Sequence, residues 1–133
     1  MDYLYQSKRS VEVIQITRLI VEIVTEQMLR KAMSSKLPVT VAEFQALLEL
    51  VEPPDQLTAP LAALWWDAKG DWRRAHELVD ALETPQGMAV HADLHRKEGV
   101  SWNADYWYSR AGRHFHRPTL DAEWQALVEG LLK

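Results

Sequence analysis

Between Ser10 and Met33 the chain has neither Gly nor Pro, and its apolar and polar residues repeat with a helical period. Glu12, Gln15, Arg18, Glu22, Glu26 and Arg30 recur every three or four residues and draw one polar stripe. Val13, Ile16, Ile20, Ile23, Val24 and Met28 fall on the opposite arc, which Ile14 and Val21 widen. Val, Ile and Thr favour strands, but strict alternation breaks at Val13–Ile14 and again at Leu19–Val21. The pattern predicts one long helix whose apolar arc covers roughly half its circumference, more than the ~100° stripe of a helix touching one surface. Such a helix is either wedged between two others of its own monomer or also forms a homodimer contact.

Further along, punctuation residues divide the chain into short helices. Ser34–Lys36 and Leu37-Pro38 end the first one. Thr40 and Glu43 have capping-box spacing, and Phe44, Leu47, Leu48 and Val51 give the second helix an apolar face until Pro53-Pro54 stops it. Asp55–Leu57 reads as a linker. Thr58 and Pro60 start a third helix through Leu61, Leu64 and Trp65, ended at Gly70-Asp71. A fourth is predicted over about Trp72–Leu82, and Thr84-Pro85 opens a fifth that reaches about Lys97 and ends at Gly99. Trp102–Ala111 makes a sixth, with Gly112 where a left-handed cap is wanted. After the basic loop Arg113–Arg117, Pro118-Thr119 opens a last helix carrying Leu120, Trp124, Leu127, Val128 and Leu131. The expectation is an all-α single domain of six or seven helices. Its parts would be an N-terminal helical pair (1–54), a central block (58–112) and a C-terminal helix (118–133).

The central block contains an imperfect repeat. A shift of 29 residues places Gly70 on Gly99, Ala75 on Ala104, Ala63 on Ala92 and Val79 on Tyr108. A Gly that allows a tight turn, followed five residues later by a small Ala, suits two helices that fold back closely on each other. Gly70-Asp71-Trp72 with Ala75, and Gly99 through Ala104 with Tyr108 and Ala111, resemble the second half of tetratricopeptide-type repeats. The likeness covers Leu61–Gly112. Departures from that family are the 29-residue period in place of 34, Leu82 in place of the second Ala, and an early Pro85. The phrases Leu64-Trp65-Trp66-Asp67, His91-Ala92, Leu94-His95-Arg96-Lys97-Glu98-Gly99 and Asn103-Ala104 with Tyr106-Trp107-Tyr108 also resemble small bacterial helical proteins without an established function. The repeat likeness implies two stacked helical hairpins and, by analogy, a binding surface.

Composition narrows the functions. With 133 residues, 47% hydrophobic and 26% charged, the chain can bury a core of its own. A net charge of -4 gives no general attraction to nucleic acid. The absence of cysteine removes thiolate catalysis, disulfides and Cys-based zinc sites. MDYLYQSKRS lacks the pattern of a secretion signal. The apolar run Leu19–Val24 is broken by Glu22 and too short to span a bilayer. A cytoplasmic protein that contacts neither membrane nor nucleic acid is expected. Neither a phosphate-cradling Gly loop nor a Gly-x-Ser-x-Gly turn occurs.

Residues 61–112 hold five of the six Trp and three of the five His. His91 and His95 share a helical face, and His76 lies on the preceding helix, so a three-histidine site for a divalent metal is geometrically available. Asp67, Asp71 and Asp80 are the carboxylates nearby in sequence. The zinc-protease pattern is absent, since Ala92 follows His91, and the shift aligns His95 with Trp66, a packing position. The alternative is a pair of buried histidines satisfied by neighbours. Tyr106, Trp107 and Tyr108 span about 200° of helix and cannot all face inward; Trp65, Trp72 and Trp107 are assigned to the core. Arg96, Arg110 and Arg113 with Asn103 could hold a carboxylate or phosphate. Arg96, Lys97, Arg110, Arg113 and Arg117, with His114 and His116, form the one mildly basic region, read as a solvated face. Two functions are expected from different classes. The first is a non-enzymatic binding module, taking a protein or a small anionic ligand in a groove of Trp66, His91, His95, Arg96, Asn103, Tyr106 and Arg110. The second is a metal-dependent enzyme or metal-binding protein using His76, His91 and His95.

Overall fold

The computed structural model describes residues 2–34, 37–114 and 117–133, with side chains from residue 7 to 28 and from 37 onward in those ranges. Seven α-helices and no strand occur among them. They are α1 (Asp2–Ser34), α2 (Val41–Ala46), α3 (Ala59–Ala68), α4 (Trp72–Val79), α5 (Pro85–Glu98), α6 (Ser101–Arg110) and α7 (Leu120–Leu131). A 3-10 turn, Leu47–Glu49, continues α2. Among the described residues, no helix is long and apolar enough to cross a membrane.

The chain forms two units, residues 1–36 and 37–133. The first is α1 alone, which begins well before Ser10. Its aliphatic side chains Val13, Ile16, Ile20 and Ile23 are all more than half exposed. Arg30, the last residue of the predicted polar stripe, lies outside the described side chains, and Ser35, Lys36 and His116 lie outside the described residues altogether. Within the second unit, α2 packs on α7.

Local chemistry fixes the helix ends of the second unit. Thr40 Oγ1 accepts from the Glu43 amide at 3.1 Å, and Glu43 reaches back to the amide of Val39. The caps Asp71, Thr84 and Thr119 accept from Arg74, Gly87 and Ala122. Thr58 stands at the N-cap of α3 without a side-chain bond, so Pro60 and the extended backbone set that start. α4 stops at Val79, one turn short of Leu82. Gly70, Gly99 and Gly112 all take positive φ, the conformation that closes a helix and that a Cβ disfavours.

α5 is the centre of this unit. It packs against α3, α4, α6 and α7, and every residue from Gly87 to His95 is buried. Ala63, Ala75, Ala92 and Ala104 have no exposed surface. Around them Trp65 is fully buried and donates its indole N–H to Leu47 O at 2.9 Å. Trp124 of α7 packs against Phe44 of α2 and donates to Leu64 O at 3.0 Å. Burying these two indoles is favourable because the N–H of each finds a carbonyl rather than being left dry.

Candidate metal centre

α4 and α5 are held together by a tryptophan. Trp72, in the first turn of α4, donates its indole N–H to Leu94 O of α5 at 2.8 Å. Its ring stacks on His76 one turn later, at 4.7 Å between centroids and 12° between planes. That stacking directs the His76 ring toward α5, where His91 and His95 stand one turn apart.

The three imidazoles converge through the same atom type. His91 Nε2 lies 3.0 Å from His76 Nε2 and 3.0 Å from His95 Nε2. One donor nitrogen from each of the three lies within 4.8 Å of the others. Nitrogens bound at 2.0–2.1 Å around a tetrahedral ion are about 3.3 Å apart, so side-chain shifts of a few tenths of an ångström would admit one. His91 is covered on its other side by Trp107 of α6, stacked at 4.1 Å. His91 and His95 are buried and His76 half-buried.

Protons alone serve this cluster poorly. His95 Nδ1 is 3.0 Å from Glu98 Oε2, so it donates there and leaves the His95 Nε2 lone pair facing inward. A proton on His91 Nε2 can be directed well at one of its two neighbours, not both. His91 Nδ1 is buried without a partner among the described residues. Burial, reinforced by His76 and His95, pushes the His91 imidazole down to about 4. Burial, followed by the charge of His95, also lowers His76, against the pull of Asp80, Glu98 and Glu77. The neutral forms that ligate a metal are therefore favoured at both positions.

The predicted carboxylates disperse. Asp67 accepts from Lys97 Nζ at 2.7 Å, Asp71 caps α4, and Asp80 is exposed at the C-terminal end of α4. Asp80 is near enough for its charge to act on both His76 and His91. The residues of the expected groove also separate. Trp66 meets Trp65 edge-on and carries the Arg74 guanidinium 4.4 Å over its ring. Arg96 donates to Pro118 O, and Asn103 is half-buried on α6. Tyr106 and Arg110 do stay with the histidines, through Trp107. Tyr106 packs edge-on to that indole at 5.1 Å, and Arg110 lies 5.1 Å over it.

Several members of the site escaped sequence reasoning. Glu98 was signalled by its position three residues after His95, but i,i+3 pairs are common on exposed helices. Trp72 and Trp107 were assigned to the core, and both are half-buried rings that flank the histidines. No protein-family model, curated protein or solved structure matches the chain.

Proposed function

We propose that this chain is a metal-binding helical protein in which His76, His91 and His95 hold one divalent transition-metal ion between α4 and α5. The observation that supports it is the approach of two imidazole Nε2 atoms to 3.0 Å from a third, in a buried position. An all-nitrogen set suits Zn²⁺, Cu²⁺ or Ni²⁺ and not Mg²⁺ or Ca²⁺, which want oxygen. Glu98 behind His95 supplies the carboxylate that commonly orients a ligating imidazole. Asp80, whose charge acts on both His76 and His91, is the candidate for a fourth donor. Trp72 and Trp107 screen two sides of the cluster, and Asp80 and Glu77, whose charges act on His76, are both exposed. These features favour an ion that ties two helices together over one that turns over substrate.

Elemental analysis tests the reading. Untagged protein, dialysed against Zn²⁺ and then against metal-free buffer, should retain close to one equivalent. His91→Ala and His95→Ala, confirmed as helical by circular dichroism, should retain almost none. Metal well below stoichiometry in the unmutated protein would overturn the proposal.

We also infer self-association through α1. Val13, Ile16, Ile20 and Ile23 recur at spacings of three and four, the seam along which two helices pair, and all four are more than half exposed.

A further inference from the structure

α5 has a second polar face. Asp93 stands two residues from His91, about 200° around the helix, so it looks away from the histidines toward α3 and α7. A cavity of about 420 Å³ opens there, walled by Asp67, Asp93, Lys97, Leu120, Asp121 and Trp124. Its size is that of a small-molecule site.

The chemistry of the wall is unbalanced. Asp93 is 2% exposed, and its Oδ1 is buried without a hydrogen-bond partner among the described residues. Lys97 does not supply that partner, because its Nζ is held by Asp67 Oδ1 at 2.7 Å and by Asp67 O at 3.3 Å. Three carboxylates thus surround the cavity against one ammonium, which is already engaged. A buried acceptor with no donor is costly, and a ligand that brings a charged N–H donor removes the cost.

We propose that this cavity binds a small organic cation whose primary ammonium donates to Asp93 while its carbon frame lies against Trp124 and Leu120. An anion would meet three carboxylates. A divalent metal wants six or more oxygens and would meet the Lys97 ammonium and an apolar wall. An ammonium on a short carbon chain matches both parts, and an indole face adds attraction for a cation. The site is independent of the histidine cluster.

Isothermal titration of the full-length, untagged protein at pH 8 tests this, with 1,4-diaminobutane and phenethylamine as probes and their N-acetyl derivatives as neutral controls. At least one amine should bind saturably and neither control should. Asp93→Asn should weaken the amine at least tenfold, and His91→Ala should leave it unchanged, so the outcome does not depend on the metal reading. Ala68→Arg places a cation at an exposed position on the cavity rim. It should weaken binding as well, even if Asp93→Asn fails to fold. Absence of saturable binding by both amines, equal binding in the Asp93 and Ala68 variants, or binding of Mg²⁺ in place of amine would each overturn the proposal.

Discussion

His95 Nδ1 lies 3.0 Å from the carboxylate of Glu98, one turn further along α5. The bond fixes which nitrogen of His95 carries the proton and so turns Nε2 toward His91 and His76. Glu98→Gln keeps the shape and removes the charge. Zinc affinity, measured by competition with a chromophoric chelator, should fall about 10–100-fold, with the metal-free melting temperature little changed because Glu98 is exposed. In the parent protein, zinc at about a hundred times its dissociation constant should add about 2.7 kcal/mol of stability. An unchanged affinity in Glu98→Gln would show that the carboxylate does not orient a ligand.

Asp93 and His91 oppose each other in their effect on pH stability. Burial lowers His91 from 6.5 to about 4, so its contribution is complete above pH 6.5 and is lost as pH falls toward 4. Burial raises Asp93 from 3.8 to about 7, so its contribution is complete below pH 3.8 and is lost as pH rises toward 7. Each slope is about 1.4 kcal/mol per pH unit, and the two are opposite in sign between pH 4 and 6.5. Asp67 and Glu123 add to the rise of Asp93, and Arg96 and Lys97 oppose it. Asp93→Asn removes the falling component. Urea midpoints at pH 4.5 and 6.5, taken with chelator present, should therefore rise more steeply with pH in the variant than in the parent. A shallower rise would contradict the raised carboxyl.

Two glycines should respond to alanine for different reasons. A Cβ at Gly87 would meet Leu82 Cβ at 2.7 Å and Thr84 Oγ1 at 3.0 Å, at the crowded start of α5. Gly87→Ala should cost about 1–3 kcal/mol through overpacking. Gly99 has open space around it but φ of +93°. Gly99→Ala should cost about 1 kcal/mol through backbone strain alone. Chemical denaturation of both variants measures the difference, and equal small losses would mean that the α5 start relaxes freely.

The α1 seam gives a concentration-dependent prediction. Light scattering should report a dimer for the parent chain and a monomer for Ile16→Glu with Ile20→Glu, because two buried carboxylates per helix would face each other across the seam. A parent monomer at high concentration would count against pairing through α1.

Helix starts and stops were legible in the sequence because they depend on neighbours in the chain. Thr40, Asp71, Thr84 and Thr119 cap helices with their own side chains, and Gly70 and Gly99 take the left-handed turn that only a missing Cβ makes easy. The spacing of His91 and His95 likewise placed two rings on one face, and the hairpin order put His76 nearby. The N-terminal helix was visible from its period, although its first turns, with Tyr3, Leu4 and Tyr5, carry no stripe that marks the start.

What tertiary structure alone decided was the environment of each polar group on α5. The segment Met88–His95 mixes apolar residues with two histidines and an aspartate and shows no single buried face. Packing against four other helices buries it on all sides. Burial then separates its polar residues by geometry. His91 and His95 meet a third imidazole from α4, while Asp93, on the other face, is left beside a cavity with one oxygen unpaired. Sequence spacing sets which residues share a face. Desolvation, and the partners that arrive from other helices, decide what chemistry that face can do.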